Sequence, residues 1–255
     1  MNLEHADSRP VVLHIPHASR FIPSWVRRQI LLDDHRLCLE LDRMTDSHTD
    51  LLFDTHLSAH RIEANFSRLV CDVERIPIDD LEPMSALGMG VIYERTSDGR
   101  PLRSSLDDKA SSRMLELYYR PHHARLNSAV SDCLYRYGHC LIIDCHSYNQ
   151  DPQGYEDANK HRPQICIGTD ADHTSVALQT QAMKTAKRYF EDVSLNTPFS
   201  GALVSSDHHL IDYRVQSIMI EIRKDTYLEA GRPSLVKMQY FKKFLNELIA
   251  TCHDL

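Results

Sequence analysis

Three short stretches carry residue types able to do chemistry: "HIPHAS" with His17, "IIDCHSY" with Asp144 and His146, and "IMIEIR" with Glu221 and Arg223. Two imidazoles and a carboxylate form a common catalytic zinc set, leaving a coordination position for water whose pKa the metal lowers toward ~7. A further carboxylate outside the ligand set can then take the proton of that water. A fourth stretch, "DRMTDSHTD", has helical character and spaces Asp42, Asp46 and Asp50 by four, so neighbours in the series share a face and one of them could complete a metal site. Asp144 lies two residues before His146 and so on the same side of an extended chain. There its carboxylate can accept the ring N–H of a liganding histidine and fix the tautomer. Cys145 points to the opposite side, where His146 is badly placed to activate its thiol.

Each residue also has an ordinary reading. A loop histidine is more often a surface or hydrogen-bonded group than a ligand, and Glu221 could sit on a solvated strand face paired with Arg223. What favours chemistry is coincidence, because the polar residues follow several different predicted strands. In open α/β sheets, ligands sit where the carboxyl ends of the strands meet the loops.

The elements that would position these residues alternate. Val11 to Ile15 reads as a short buried strand, the stretch 23–57 as one or two helices, and Leu69 to Val73 as the centre of a second strand. A loop rich in Pro, Asp, Ser and Gly follows, then a helical stretch from Asp107 to Tyr137 in which Pro121 should introduce a kink or break. Gly138 stops that helix before a strand at Leu141 to Asp144. Strand "QICIGTD", helix "TSVALQTQAMKTAKRYFED", a strand around Val193, loop "NTPFSGALVSSDHH", strand "SIMIEIR" and helix "SLVKMQYFKKFLNELIATC" complete the chain. Elements in this order predict a three-layer α/β/α fold with a mostly parallel, mixed central sheet, and no linker divides the chain, so residues 1–255 are expected to form a single catalytic domain.

Composition narrows the class of partner. A formal charge of −7 with no basic block argues against nucleic acid, whose backbone needs clustered Lys and Arg. No apolar run approaches the ~20 residues that cross a bilayer, and "MNLEHADSRP" lacks an apolar leader core, so a cytoplasmic location is expected with no membrane partner. The 7 cysteines form no CxxC pair and read as reduced core thiols. Arginine matches a carboxylate through its planar fork, so an enzyme acting on an amino-acid derivative needs at least one; "NFSRLVCDVER" offers Arg68 and Arg75, and "YYRPHHARL" adds Arg120 beside His122 and His123.

Taken together, "HIPHAS", "TDSHTDLLF", "SRLVCDVER", "YYRPHHARL", "IIDCHSY", "NTPFSGALV" and "IMIEIRKDTY" resemble, in order and spacing, the blocks of the N-formylglutamate amidohydrolase family, from Val11 to Leu228. That family is similar in turn to zinc carboxypeptidases, with a liganding histidine in a strand end like "DCHSY" and a catalytic glutamate on a late strand like "IEI". The resemblance implies a zinc-carboxypeptidase-like fold and a metal-dependent amidase that cleaves N-formyl-L-glutamate to formate and L-glutamate, as in histidine breakdown. It implies His17, Asp46 and His146 as ligands of Zn2+ or another divalent metal, with His48 in reserve for Asp46. It also implies Glu221 as general acid and base, and Arg68, with Arg75 and Arg223 beside it, as the grip on an acidic small-molecule substrate; Asp144, His48 and His123 fall in the supporting shell. This chain departs from the family pattern at Ala18 and Ser19, Ser47 and Ala202, and at Arg223-Lys224, where an Asn-Arg pair is usual. A different N-acyl amino acid, a γ-glutamyl or peptide bond, or a non-catalytic binding role on the same scaffold are the alternatives.

Overall fold

The computed structural model describes residues 8–253. Most of the N-terminal stretch expected to lack a leader, and both ends of the expected 1–255 unit, lie outside them. In chain order the principal elements are β1 (Ser8–Ile15), α1 (Ser24–Arg27), α2 (Asp34–Met44), α3 (Thr49–Leu52), β2 (Ser58–Glu63), α4 (Asp108–Met114), α5 (Arg120–Tyr137), β3 (Cys140–Tyr148), β4 (Ile165–Thr169) and α6 (Val176–Tyr189). They continue as β5 (Val193–Leu195), β6 (Val215–Arg223), β7 (Leu228–Glu229), β8 (Arg232–Pro233) and α7 (Leu235–Cys252).

Six strands form one sheet in the order β2-β1-β3-β6-β4-β5, and β7 pairs with β8 separately. β2, β1, β3 and β6 run parallel, β4 is antiparallel to β6, and β5 is parallel to β4. Parallel strands joined by helical crossovers are covered on both faces, which is why β3 reads as a continuous apolar run and buries all nine of its residues. On one face Val11, Leu13, Ile143, Cys145, Ile218 and Ile220 pack with residues of α3, α6 and α7. On the other, Val12, Ile142 and Val215 pack with Leu126, Val130 and Cys133 of α5. Among the described residues no helix is long and apolar enough to cross a membrane.

The period of two along a strand gives these faces different characters. On the α5 face, β1 passes from Val12 to His14 and β3 from Ile142 to Asp144 and His146. The apolar half lies under α5 and the polar half emerges at the carboxyl edge. Cys145 belongs to the opposite face, fully buried, its thiol donating to the Ile143 carbonyl at 3.1 Å.

Two local expectations are corrected. The second strand is Ser58–Glu63, parallel to β1, whereas residues 69–73 run as turns with Leu69, Val70, Cys71 and Val73 buried. Apolar residues here do not alternate, and Asp72 between them is tied to side chains from three other positions, which replaces a strand ladder. Asp42 and Asp46 do not share a helix face, because α2 ends at Met44, Thr45 is extended, and Asp42 instead pairs with Arg20 on the surface. The break expected at Pro121 takes the form of a π-helical turn over Leu115–Tyr119, after which the proline sits in the first turn of α5, where no backbone N–H is required.

Gly168 of β4 couples the sheet to the loop that follows β5. A Cβ there would meet the Gly201 carbonyl oxygen at 2.3 Å and the Met219 side chain at 2.4 Å, so only glycine permits this approach. Gly168→Ala is expected to push the loop around Gly201 away from the sheet and cost about 1–3 kcal/mol, read as a lower urea midpoint at unchanged m-value; a midpoint equal to wild type would show that the loop yields freely.

Candidate active site

The strand register brings the polar residues together. His14 of β1 lies opposite Asp144 of β3, and His146 of β3 lies opposite Glu221 of β6. His17 follows two residues after β1, and its carbonyl accepts the backbone N–H of Asp46 at 3.0 Å, which draws the α2–α3 connection over the strand end. Tyr227, fully buried after β6, donates its hydroxyl to the Ser47 carbonyl at 2.6 Å and lies 3.0 Å from the Ser147 hydroxyl, pinning that connection to β3.

His17, Asp46 and His146 each present a ligand atom within 4.8 Å of the others, and all three are buried. Asp46 Oδ2 lies 3.1 Å from His146 Nδ1 and 3.7 Å from His17 Nδ1. Burial pushes the Asp46 carboxyl up, but hydrogen bonds and charge from the two imidazoles outweigh it and hold the group ionised, well below the usual range. Each histidine is anchored by a further carboxylate: His17 Nε2 meets Asp72 Oδ1 at 2.8 Å, and His146 Nε2 meets Asp144 Oδ1 at 3.0 Å. A neutral ring that donates from Nε2 has its lone pair on Nδ1, and both Nδ1 atoms face the cluster.

These residues fit a metal ion by their own chemistry. His17 Nδ1 and Glu221 Oε2 are buried with no hydrogen-bond partner, and a donor set of two imidazoles and one carboxylate suits zinc and related divalent ions. Glu221 extends from β6 beside His146, and burial, against the pull of the His146 charge, pushes its carboxyl up to about 8.

A cavity of about 370 Å³ opens above the cluster, lined among others by His17, Asp46, His146, Glu221, Arg68 and Arg75. Arg68 is engaged, its guanidinium bonded to Asp72 Oδ2 at 2.7 and 3.1 Å, and that oxygen also accepts the Tyr93 hydroxyl at 2.5 Å. Arg75 is freer: its Nε is buried without a hydrogen bond and lies 3.6 Å from Asp72.

Three residues expected at or near the site do not reach it. His48 caps α3 in the left-handed conformation, with φ 64°, and does not line the cavity. His123 bonds to the Val73 carbonyl at 2.9 Å and packs on Tyr119, because the neighbouring turn of α5 aims His122, not His123, at β1. Arg223 has Glu221 two residues before it on the same strand face but lies outside the cavity, its guanidinium held by Asp225 and the Arg162 carbonyl.

Three participants lie outside the residues that the sequence points to: Asp72, Glu74 and His14. Asp72 and Glu74 had a visible signal, since both are acids interleaved with the apolar residues of "RLVCDVER". His14 had one as well, as a histidine inside an otherwise apolar strand three residues before His17.

A model of the N-formylglutamate amidohydrolase family matches residues 9–228. Among solved structures, the chain is similar to an N-formylglutamate amidohydrolase from Ralstonia eutropha JMP134, with TM-score 0.81 and 21% identity over 98% of this chain and 96% of that one. It is also similar to a gene product of Agrobacterium tumefaciens, with TM-score 0.69 and 21% identity over 97% of this chain and 91% of that one. No curated protein matches the chain. The likeness to the two structures is one of fold, and the family match spans most of the sequence: the chain belongs to the N-formylglutamate amidohydrolase family and is a hydrolase.

Proposed function

We propose that this protein hydrolyses N-formyl-L-glutamate to formate and L-glutamate, with a divalent metal, most simply zinc, held by His17, Asp46 and His146. The observation that carries this reading is the convergence of those three side chains with Glu221 at one end of a cavity that also holds Arg68 and Arg75. When bound, the metal supplies a Lewis acid that acidifies water and polarises a carbonyl oxygen. The remaining work falls to the chain. Glu221 Oε2, buried and without a partner, takes the proton of the attacking water and returns it to the departing amine nitrogen. Burial raises the proton affinity of Glu221, which suits a group that must both accept and give back a proton near neutral pH. Asp72 and Asp144 hold the two imidazoles in one tautomer and one orientation. Arg75, with an unused Nε, receives a substrate carboxylate, and Arg68 fixes the Asp72 side of the cavity through its two hydrogen bonds to the Asp72 carboxylate.

The direct test measures formate release from N-formyl-L-glutamate against a panel of other N-acyl amino acids, where a clear preference for the acidic substrate is expected and equal rates would sink the assignment. Glu221→Gln is expected to lower kcat by about 10²–10⁴-fold while metal content stays at the wild-type level; retained activity would remove Glu221 from proton transfer. Arg75→Ala should raise KM for N-formyl-L-glutamate by roughly 10–100-fold, the loss of one charge-assisted hydrogen bond to the substrate. An unchanged KM would place the carboxylate elsewhere in the cavity.

A further inference from the structure

Next to the first cluster, on the α5 face, His14, Glu74 and Asp144 bring one imidazole nitrogen and two carboxylate oxygens within 4.8 Å of one another. His14 Nδ1 is 2.9 Å from Asp144 Oδ1 and 3.0 Å from Glu74 Oε1. One ring nitrogen carries at most one proton, so two carboxylates that close compete for it. Asp144 accepts that hydrogen bond, and Glu74 Oε1 is buried with none. An unsatisfied carboxylate oxygen packed against a second carboxylate is an arrangement short of positive charge.

The far side of the ring is equally specific. His14 Nε2 meets His122 Nε2 at 2.8 Å, a contact that needs one proton between the two nitrogens. Burial and the neighbouring His14 charge hold His122 down to about 2, so that ring stays neutral and carries a single proton. With the shared proton on His14 Nε2, Nδ1 is the nitrogen available to a ligand, the same arrangement by which Asp72 sets His17 and Asp144 sets His146.

We propose that His14, Glu74 and Asp144 form a second binding site for a divalent transition-metal ion, joined to the first cluster through Asp144, whose Oδ1 also meets His146 Nε2. A dication in place of the His14 Nδ1 proton serves three donors where the proton serves one. One imidazole and two carboxylates suit zinc, manganese, iron or cobalt. Glu74 lines the cavity, so the remaining coordination positions open toward water or substrate. The proposal does not depend on the substrate or on occupancy of the first site.

Metal-free protein loaded with Zn2+, desalted and analysed by inductively coupled plasma mass spectrometry is expected to retain two ions per chain. Glu74→Gln and His14→Gln should each retain one, and Asp46→Asn should also retain one, having lost the ion of the first cluster instead. Circular dichroism checks that each variant is folded, and an anomalous difference map of zinc-soaked wild-type crystals should show a peak about 2.0–2.1 Å from His14 Nδ1. Wild type that saturates at one ion, kept in Glu74→Gln and lost in Asp46→Asn, overturns the proposal and leaves His14 a protonated clamp between two acids. Two ions unaffected by either Glu74→Gln or His14→Gln, or no anomalous peak beside His14, overturns it as well. A single wild-type ion that Glu74→Gln removes and Asp46→Asn does not supports this site and defeats the metal reading of the first.

Discussion

The parallel register of β1, β3 and β6 is the constraint on which the site depends. Sliding β3 by one residue against its neighbours would send Asp144 and His146 into the apolar layer under α6 and α7 and bring Cys145 to the polar face. That slip is opposed from both sides of the sheet, because Ile143 and Cys145 are buried in one apolar layer and Ile142 in the other. The fold therefore holds the chemistry in place chiefly by hydrophobic packing of residues that never touch a ligand. Polar contacts adjust the side chains within the frame that packing sets.

At Asp72 and Asp144 a buried charge is met by opposite ones. Asp72 lies wholly inside the protein, and burial pushes its carboxyl up, but the Arg68 charge, His17 and Arg75 hold it well below the ordinary range. Asp144 accepts from His14, His146 and the backbone N–H of Leu203, so one carboxylate serves two strands and the loop after β5. The acids and bases of the site thus form one connected network, and the effect of changing one member is transmitted to the rest. Double changes within this network are not expected to add.

The sequence displays the layer architecture clearly, because long stretches such as "CLIID" and "SIMIEI" have one plausible structure and their polar ends stand out. It displays His17, His146 and Glu221 for the same reason: each follows or ends an apolar strand. Residues 69–73 mislead because their apolar content suggests a strand, whereas it marks a buried turn organised by Asp72. His122 and His123 could not be ranked from spacing, since one residue on a helix turns the side chain by about 100° and the phase of α5 depends on the π turn ahead of it. Arg223 shares the parity of Glu221, but the Asp225 carboxylate on the following turn and the Arg162 carbonyl hold it outside the cavity.

Tyr227 has a consequence for how this scaffold can vary. Its hydroxyl ties the exit of β6 to the Asp46 connection and to β3, while Glu221 is held by the sheet itself, so the short run between these two points is anchored at both ends. Within that run Lys224 reaches the wall of the cavity by donating to Asn149 Oδ1, whereas Arg223 and Asp225 satisfy each other. The run can exchange residues as a cassette, its changes felt at the cavity wall and absorbed before they reach His146 and Asp46. The shape of the cavity wall can thereby vary, within a handful of positions, apart from the cluster at the strand ends.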